Sequence, residues 1–140
     1  MIAGRRLLML TALAAAGCNG GVETPTSATD TASTTATILF AGTLQPRGTR
    51  FYSYSLTTGG QVSAMLASLE QGQRPMTNRL ELGIGIPSGT GCAVTSPQNV
   101  GPSLVPQIKQ DTAVGTYCVR ISDVDGLPAP MNFTIRLIHP

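Results

Sequence analysis

The sequence is poor in the residues that most often carry out chemistry. It has no tryptophan, three phenylalanines, three tyrosines and a single histidine, His139. One imidazole excludes a metal site built from several histidines. His139 also lies next to the last residue, where fraying would spoil the positioning that a Ser-His-Asp unit needs. These absences predict a chain with no catalytic residues, no cofactor and no metal ion.

Charged residues are scarce as well, at 11% of the chain, and their distribution is uneven. Arg5 and Arg6 account for the formal net charge of +2, because the seven other basic residues are matched by seven acidic ones. A surface that binds phosphates needs an excess of basic side chains. The composition therefore argues against nucleic acid as a partner.

Residues 1–17 have the order of an export signal. Arg5 and Arg6 precede an apolar run over residues 7–16 in which only Thr11 is polar, and small residues follow. The run is shorter than the ~20 residues that a membrane-spanning helix needs. A buried helix of the domain is the alternative, but such a helix would show polar positions every three or four residues.

The stretch "AAGC", residues 15–18, resembles the lipobox of bacterial lipoproteins. The resemblance implies removal of residues 1–17, acylation of Cys18 and attachment to the lipid bilayer of a bacterial cell envelope. Two or three acyl chains anchor a protein stably. Ala15 stands where the family more often has leucine. Ordinary cleavage after Ala16, which would leave Cys18 as a thiol, remains the alternative.

Residues 18–36 consist mostly of threonine, serine, alanine and glycine. No bulky apolar residue occurs between Val22 and Ile38, so the segment cannot bury enough surface to offset the entropy of ordering. We predict a disordered, flexible tether with a root-mean-square span on the order of 25 Å. An additional edge strand is the alternative.

From residue 37 to residue 140 the sequence predicts strands and almost no helix. Apolar residues alternate with polar or small ones in seven or eight short runs, which Gly, Pro and Asn separate. The pattern predicts an all-β domain, an antiparallel β-sandwich with jelly-roll-like or Greek-key connections. A small barrel is the alternative. The clearest run, "RLELGIGI", places four apolar residues on one face: Leu80, Leu82, Ile84 and Ile86.

Gly83 and Gly85 leave the second face of that run without side chains. Glycines in a strand indicate close approach by another backbone. A flat face that receives a ligand is the other interpretation.

Cys92 and Cys118 are the cysteines that remain once Cys18 is assigned to lipid. An oxidising, exported setting favours a bridge between them. Closing a loop of about 27 residues would stabilise the domain by roughly 3.5 kcal/mol. Two reduced, buried cysteines are the alternative.

The stretch "SDVDG" carries Asp123 and Asp125, the only closely spaced acidic pair. Two carboxylates two residues apart resemble half of a calcium loop. Asp-Gly between two strands is also a common turn, and we favour a turn that the Asp123 carboxylate braces. A weak calcium site at these two residues is the alternative.

Two stretches resemble bacterial pre-peptidase C-terminal domains: "FAGTLQPRGTRFYSYSLTTGGQVSAMLASL" and "DTAVGTYCVRISDVDGLPAPMNFTIRLIHP". The resemblance implies a β-sandwich module of the kind that accompanies secreted proteases and other exported enzymes, and that in some members binds polymers. Collagen-binding relatives take calcium through acidic residues near the N-terminal linker. Only Glu23 and Asp30 lie there, so calcium is not carried over, and the family module supplies no catalytic residue.

The sequence thus favours a non-enzymatic, lipid-anchored module of the cell envelope or surface. Its role would be structural or the binding of a protein or an extracellular polymer. Two alternatives stay open. One is an accessory domain that acts with a secreted protease or other hydrolase, and the other is a small hydrolase with an unrecognised site.

Overall fold

A computed structural model describes residues 34–140. The predicted signal, the lipidation of Cys18 and nearly all of the predicted tether lie outside the described residues. Within residues 34–140, no helix is long and apolar enough to cross a membrane.

The described chain forms ten β-strands. The first begins at Ala36, next to the predicted domain boundary at residue 37. The strands are β1 (Ala36–Leu44), β2 (Thr49–Leu56), β3 (Gly60–Gln71), β4 (Arg74–Pro75), β5 (Leu80–Ser88), β6 (Gly91–Val94), β7 (Gln98–Val100), β8 (Ile108–Thr112), β9 (Gly115–Ser122) and β10 (Met131–His139).

The strands form two antiparallel sheets of five. Sheet 1 has the order β1-β10-β3, and β4 and β8 both pair with the far edge of β3. Sheet 2 has the order β2-β9-β5, and β6 and β7 both pair with the far edge of β5. With β6 and β7 counted as one interrupted strand, the order 1-10-3-8 faces the order 2-9-5-6/7. This is a jelly-roll connection, and it confirms the predicted antiparallel β-sandwich.

Ten strands occur where the sequence predicted seven or eight, for two local reasons. The two-residue β4 merely extends the hairpin that follows β3. The outer strand of sheet 2 is interrupted between Val94 and Gln98, so that it counts twice.

The core lies between the sheets and is mainly aliphatic, as the period-two pattern predicted. Its largest fully buried side chains come from both sheets: Leu44, Leu66, Leu69, Leu80, Leu82, Ile121, Phe133, Ile135 and Leu137. Aromatic rings close one part of it. Phe40 stacks on Tyr52 with ring centroids 5.0 Å apart, and Tyr54 stacks on Tyr117 at 6.1 Å.

Ile86 departs from the predicted core. It continues the inward phase of Leu80, Leu82 and Ile84, but its side chain is 62% exposed. The reason is the length of β5, which pairs with β9 only as far as Gly85 and then continues beside β6 alone. The predicted alternation of facing sides thus holds along β5, but an expectation that Ile86 is buried with the other three residues is wrong.

A β-bulge interrupts the pairing of β3 with β10. Leu66 pairs with Ile135 and Ser68 pairs with Thr134, so Ala67 has no partner in β10. The extra residue reverses the inward phase of β3, and Leu66 and Leu69 both reach the core. Bulges bend a strand and increase its local twist. The bend lies beside the depression described below.

Candidate functional site

Outward-facing side chains of β1, β10 and β3 line a depression of about 420 Å³ on the outer face of sheet 1. Its side chains form two rows that cross the three strands. One row holds Ala41, Thr134 and Ser68, and the other holds Thr43, Asn132 and Glu70. We call this depression the sheet-1 groove; Gly42 and Phe133 complete its lining. Its volume is within the range of small-molecule sites.

The floor of the groove is braced from inside the sandwich. The Tyr52 hydroxyl reaches across from sheet 2 and donates a hydrogen bond to the Ala41 carbonyl at 3.0 Å. Gly42 follows Ala41 in the chain. A Cβ at Gly42 would overlap the Tyr52 hydroxyl and lie 3.2 Å from the Phe133 ring. Close packing of this kind fixes the distance between β1 and sheet 2, and with it the position of the outward-facing side chains of β1.

The groove offers both donors and acceptors of hydrogen bonds. The Thr43 hydroxyl donates to the Asn132 amide oxygen at 2.8 Å, which leaves the two N–H groups of that amide directed elsewhere. Within residues 34–140, no hydrogen bond or ion pair occupies the side chains of Ser68, Thr134 or Glu70; the ion pair between Glu81 and Arg120 lies in sheet 2. The groove therefore has several polar groups available for hydrogen bonds to a ligand.

Charges of both signs surround the groove. Glu70 is the one ionisable side chain among its lining residues. Arg50 borders the Thr43 end, where its Nε lies 3.4 Å from the Thr43 carbonyl oxygen. Arg136 lies one row further along β10 and is exposed. The carboxylate at the end of one row and the two guanidinium groups at the border give the groove and its surroundings a small net charge.

The groove lies at the end of sheet 1 that is remote from the start of β1. Thr43 is seven residues from Ala36, or about 24 Å along an extended strand. Ala36 pairs with His139, and the β2–β3 and β8–β9 turns lie at that same end. His139 is thus far from the groove. At its own end of the sheet, its Nδ1 lies 2.8 Å from the Pro140 carbonyl oxygen.

The predicted disulfide between Cys92 and Cys118 is confirmed, with Cα atoms 5.9 Å apart. It joins β6 to β9 across β5, because Gly85 pairs with Cys118 on one side and with Val94 on the other. The bridge therefore ties together three strands of sheet 2. The predicted lipid site, Cys18, lies outside the described residues.

The face that carries Gly83 and Gly85 is covered by the chain itself. A Cβ at Gly83 would overlap the Val94 side chain and lie 3.3 Å from the Cα of Pro97. A Cβ at Gly85 would overlap the Ala93 carbonyl group. The prediction of close approach by another strand is confirmed, and the interpretation as a flat ligand-binding face is wrong.

Asp123 braces the turn that contains it. Its side chain is only 5% exposed, and its Oδ2 accepts hydrogen bonds from the amides of Arg47 and Leu127, each at 2.6 Å. Its Oδ1 accepts from the Gly126 amide at 2.9 Å. Burial raises the pKa of this carboxyl, but the backbone hydrogen bonds lower the pKa by more, so that it lies below its ordinary value.

The bonds of Asp123 tie the β1–β2 turn to the β9–β10 loop, and both of its oxygens are used within the protein. Asp125 is exposed on the same loop. In the part of the chain that the structure describes, no three His, Cys, Asp or Glu side chains gather in a way that could hold a metal ion.

A second, smaller depression of about 290 Å³ lies where the edges of the two sheets meet. Ile84 of sheet 2 and Ile108 of sheet 1 form its floor, and both belong to the core. Lys109 and Gln110 lie at its rim. The sheet-1 groove is the larger of the two depressions.

The sequence analysis did not find the sheet-1 groove. The small and polar residues of the groove lie at outward positions of strands. Nothing in the sequence brings them together, because Glu70 and Asn132 are 62 positions apart in the chain. Only the pairing of β10 between β1 and β3 makes them neighbours. The signal that was available is the occurrence of Thr and Asn at outward positions of β1 and β10.

The chain matches no protein-family model, and no curated protein sequence matches it. The fold and the groove together define a jelly-roll β-sandwich domain with a polar depression on one outer face.

Proposed function

We propose that the chain is a non-enzymatic, lipid-anchored module of the bacterial cell envelope that binds an extracellular polymer in the sheet-1 groove. The observation that carries this proposal is the position of the groove, at the end of sheet 1 remote from Ala36. A tether from an acylated Cys18 would join the domain at Ala36, so that the groove lies about 24 Å along β1 from the point of attachment.

The stretches that resemble pre-peptidase C-terminal domains can be placed on the strands. The two stretches that carry the resemblance, residues 40–69 and 111–140, contribute β1, β2, β3, β9 and β10, and they form most of sheet 1. The part of the chain between them, where the resemblance is weak, forms β4, β5, β6, β7 and most of β8. The likeness thus covers the strands that build the groove.

The chemistry of the groove supports binding over catalysis. Hydrolysis at neutral pH usually needs an acid-base pair, or a nucleophile with a base beside it. Glu70 lies alone among hydroxyl, amide and methyl groups in the groove lining. A single carboxylate can orient a ligand, but it offers no partner that would take up or deliver a second proton.

The proposal of groove binding is tested with a variant that fills the groove. Thr134 lies in the central strand β10, so Thr134→Arg places a long side chain across the middle of the depression. Thr37→Arg is the matched control, because it adds the same charge to an exposed position at the other end of the same sheet. The measurement is co-sedimentation of the exported protein with purified envelope polymer.

We expect the wild-type protein and Thr37→Arg to sediment with the polymer and Thr134→Arg to stay in the supernatant. Equal sedimentation of all three proteins would show that the groove is not the binding face.

A further inference from the structure

We infer that the sheet-1 groove recognises an uncharged glycan, and that Glu70 and Asn132 hold a pair of its adjacent hydroxyl groups. This inference rests on the proposed function and specifies its ligand. Three properties of the groove lead to it: the pairing of donors with acceptors, the balance of charge and the type of sheet surface.

The first property is a donor group beside an acceptor group. Glu70 and Asn132 are cross-strand partners, and such partners have Cβ atoms about 5 Å apart. The carboxylate only accepts hydrogen bonds, whereas the Asn132 amide, with its oxygen already bonded to Thr43, has N–H groups to donate. A hydroxyl group both donates and accepts. Two adjacent sugar hydroxyls can therefore bond to both side chains at once.

A second pair of polar groups lies in the next row. Ser68 and Thr134 are also cross-strand partners, two residues along each strand and so about 7 Å from the first pair. Their hydroxyls donate and accept equally well, so they match further hydroxyl groups of the same ring or of the next ring in a chain. Ala41 adds a methyl group to that row, against which the C–H groups of a sugar can pack.

The charges favour a ligand without net charge. A polyanion would bring its negative charges to Glu70, the one ionisable residue of the lining. A cationic peptide would have to approach past Arg50 and Arg136, which border the groove. Unpaired charges brought together in this way reduce affinity, because like charges across an interface repel.

The type of surface disfavours an extended peptide. Peptides that add to β-sheets bond to the main chain at a strand edge. The groove lies on the face of three paired strands, and the backbone groups of its central strand β10 bond to β1 on one side and to β3 on the other. A peptide would thus find side chains there but no row of unpaired main-chain groups.

The test is isothermal titration of the exported protein with neutral polysaccharides, namely dextran, laminarin and xyloglucan. Polygalacturonate serves as the anionic probe and oligolysine as the cationic one. The groove holds no aromatic platform at its outer surface, so we expect weak binding with Kd on the order of 0.1–1 mM. Glu70→Gln and Asn132→Ala should each weaken binding by about tenfold, since each removes a bond that involves a charged or an otherwise unpaired group.

Asp111→Asn is the matched control, because it removes one negative charge from an exposed position on β8 of the same sheet. It should bind as the wild-type protein does. Binding of at least one neutral polysaccharide, lost in Glu70→Gln and Asn132→Ala but kept in Asp111→Asn, would support the inference.

Two results would overturn it. One is that none of the three neutral polysaccharides binds, and the other is binding that Glu70→Gln and Asn132→Ala leave unchanged. If Thr134→Arg still abolishes sedimentation with envelope polymer in either case, the proposed function stands and only the identity of the ligand is wrong. If Thr134→Arg has no effect, both proposals fail.

Discussion

Replacing Asp123 with alanine should destabilise the domain more than any other single change in the β9–β10 loop. The substitution removes three hydrogen bonds from backbone amides to a buried carboxylate. A bond to a charged group contributes about 1.5–3 kcal/mol, and an unsatisfied buried amide costs about 1–3 kcal/mol.

The three amides differ in their access to water, and this sets the size of the effect. Arg47 and Gly126 are exposed, so their amides can bond to water once the carboxylate is gone. Leu127 is buried, and its amide would be left without a partner. We therefore expect the free energy of unfolding to fall by about 2–4 kcal/mol. This is the cost of leaving one buried amide unsatisfied plus part of the contribution of the other two hydrogen bonds.

The assay is urea unfolding of the protein, followed by far-ultraviolet circular dichroism. Asp125→Ala is the matched control, because it removes an exposed carboxylate from the same loop and should change the free energy of unfolding by less than about 0.5 kcal/mol. If Asp123→Ala and Asp125→Ala unfold at the same urea concentration, the brace contributes nothing to stability and the reasoning from its hydrogen bonds is refuted.

The same residue predicts how stability changes with pH. The pKa of Asp123 is lower in the folded protein than its ordinary value of 3.8, so the unfolded chain binds the proton more readily. The contribution of Asp123 to stability is thus fully present above that ordinary value and is lost as the pH falls through the folded pKa. In Asp123→Asn this part of the acid dependence should disappear, which unfolding titrations between about pH 2 and pH 6 would measure.

Three further changes have definite outcomes. Replacing Cys92 and Cys118 together with alanine should lower the free energy of unfolding by roughly 3.5 kcal/mol, and reductant should then have no further effect in urea unfolding; an unchanged midpoint would contradict this. Gly85→Ala should destabilise by about 1–3 kcal/mol in thermal melts because its methyl group would meet the Ala93 carbonyl, whereas Gly91→Ala, with its nearest neighbour 3.7 Å away, should cost less than half as much. Mass spectrometry of membrane-derived protein should find Cys18 as an acylated amino terminus, and an unmodified Gly17 or Cys18 terminus in a soluble product would rule out the anchor.

The sequence alone was sufficient for the features that depend on near neighbours in the chain. Alternation in "RLELGIGI" places Leu80, Leu82 and Ile84 on one face, and the structure has all three in the core. The side chains of a strand point to opposite faces in turn whatever the strand pairs with, so this pattern survives any topology. The Cys92–Cys118 bridge also followed from the sequence, because the two cysteines that remain once Cys18 is assigned to lipid have one possible pairing.

Tertiary structure decided everything that depends on which strands meet and in what register. The exposure of Ile86 follows from the point at which β9 stops pairing with β5, and the covering of Gly85 follows from the path of β6. The groove needs β10 between β1 and β3, and it needs the bulge at Ala67 that bends β3 beside it. The alternation of side chains within a strand does not indicate which strand it pairs with, or whether the register of that pairing shifts by one residue. The long-range pairing that brings Glu70 beside Asn132 is therefore a property of the folded chain and cannot be read from either strand alone.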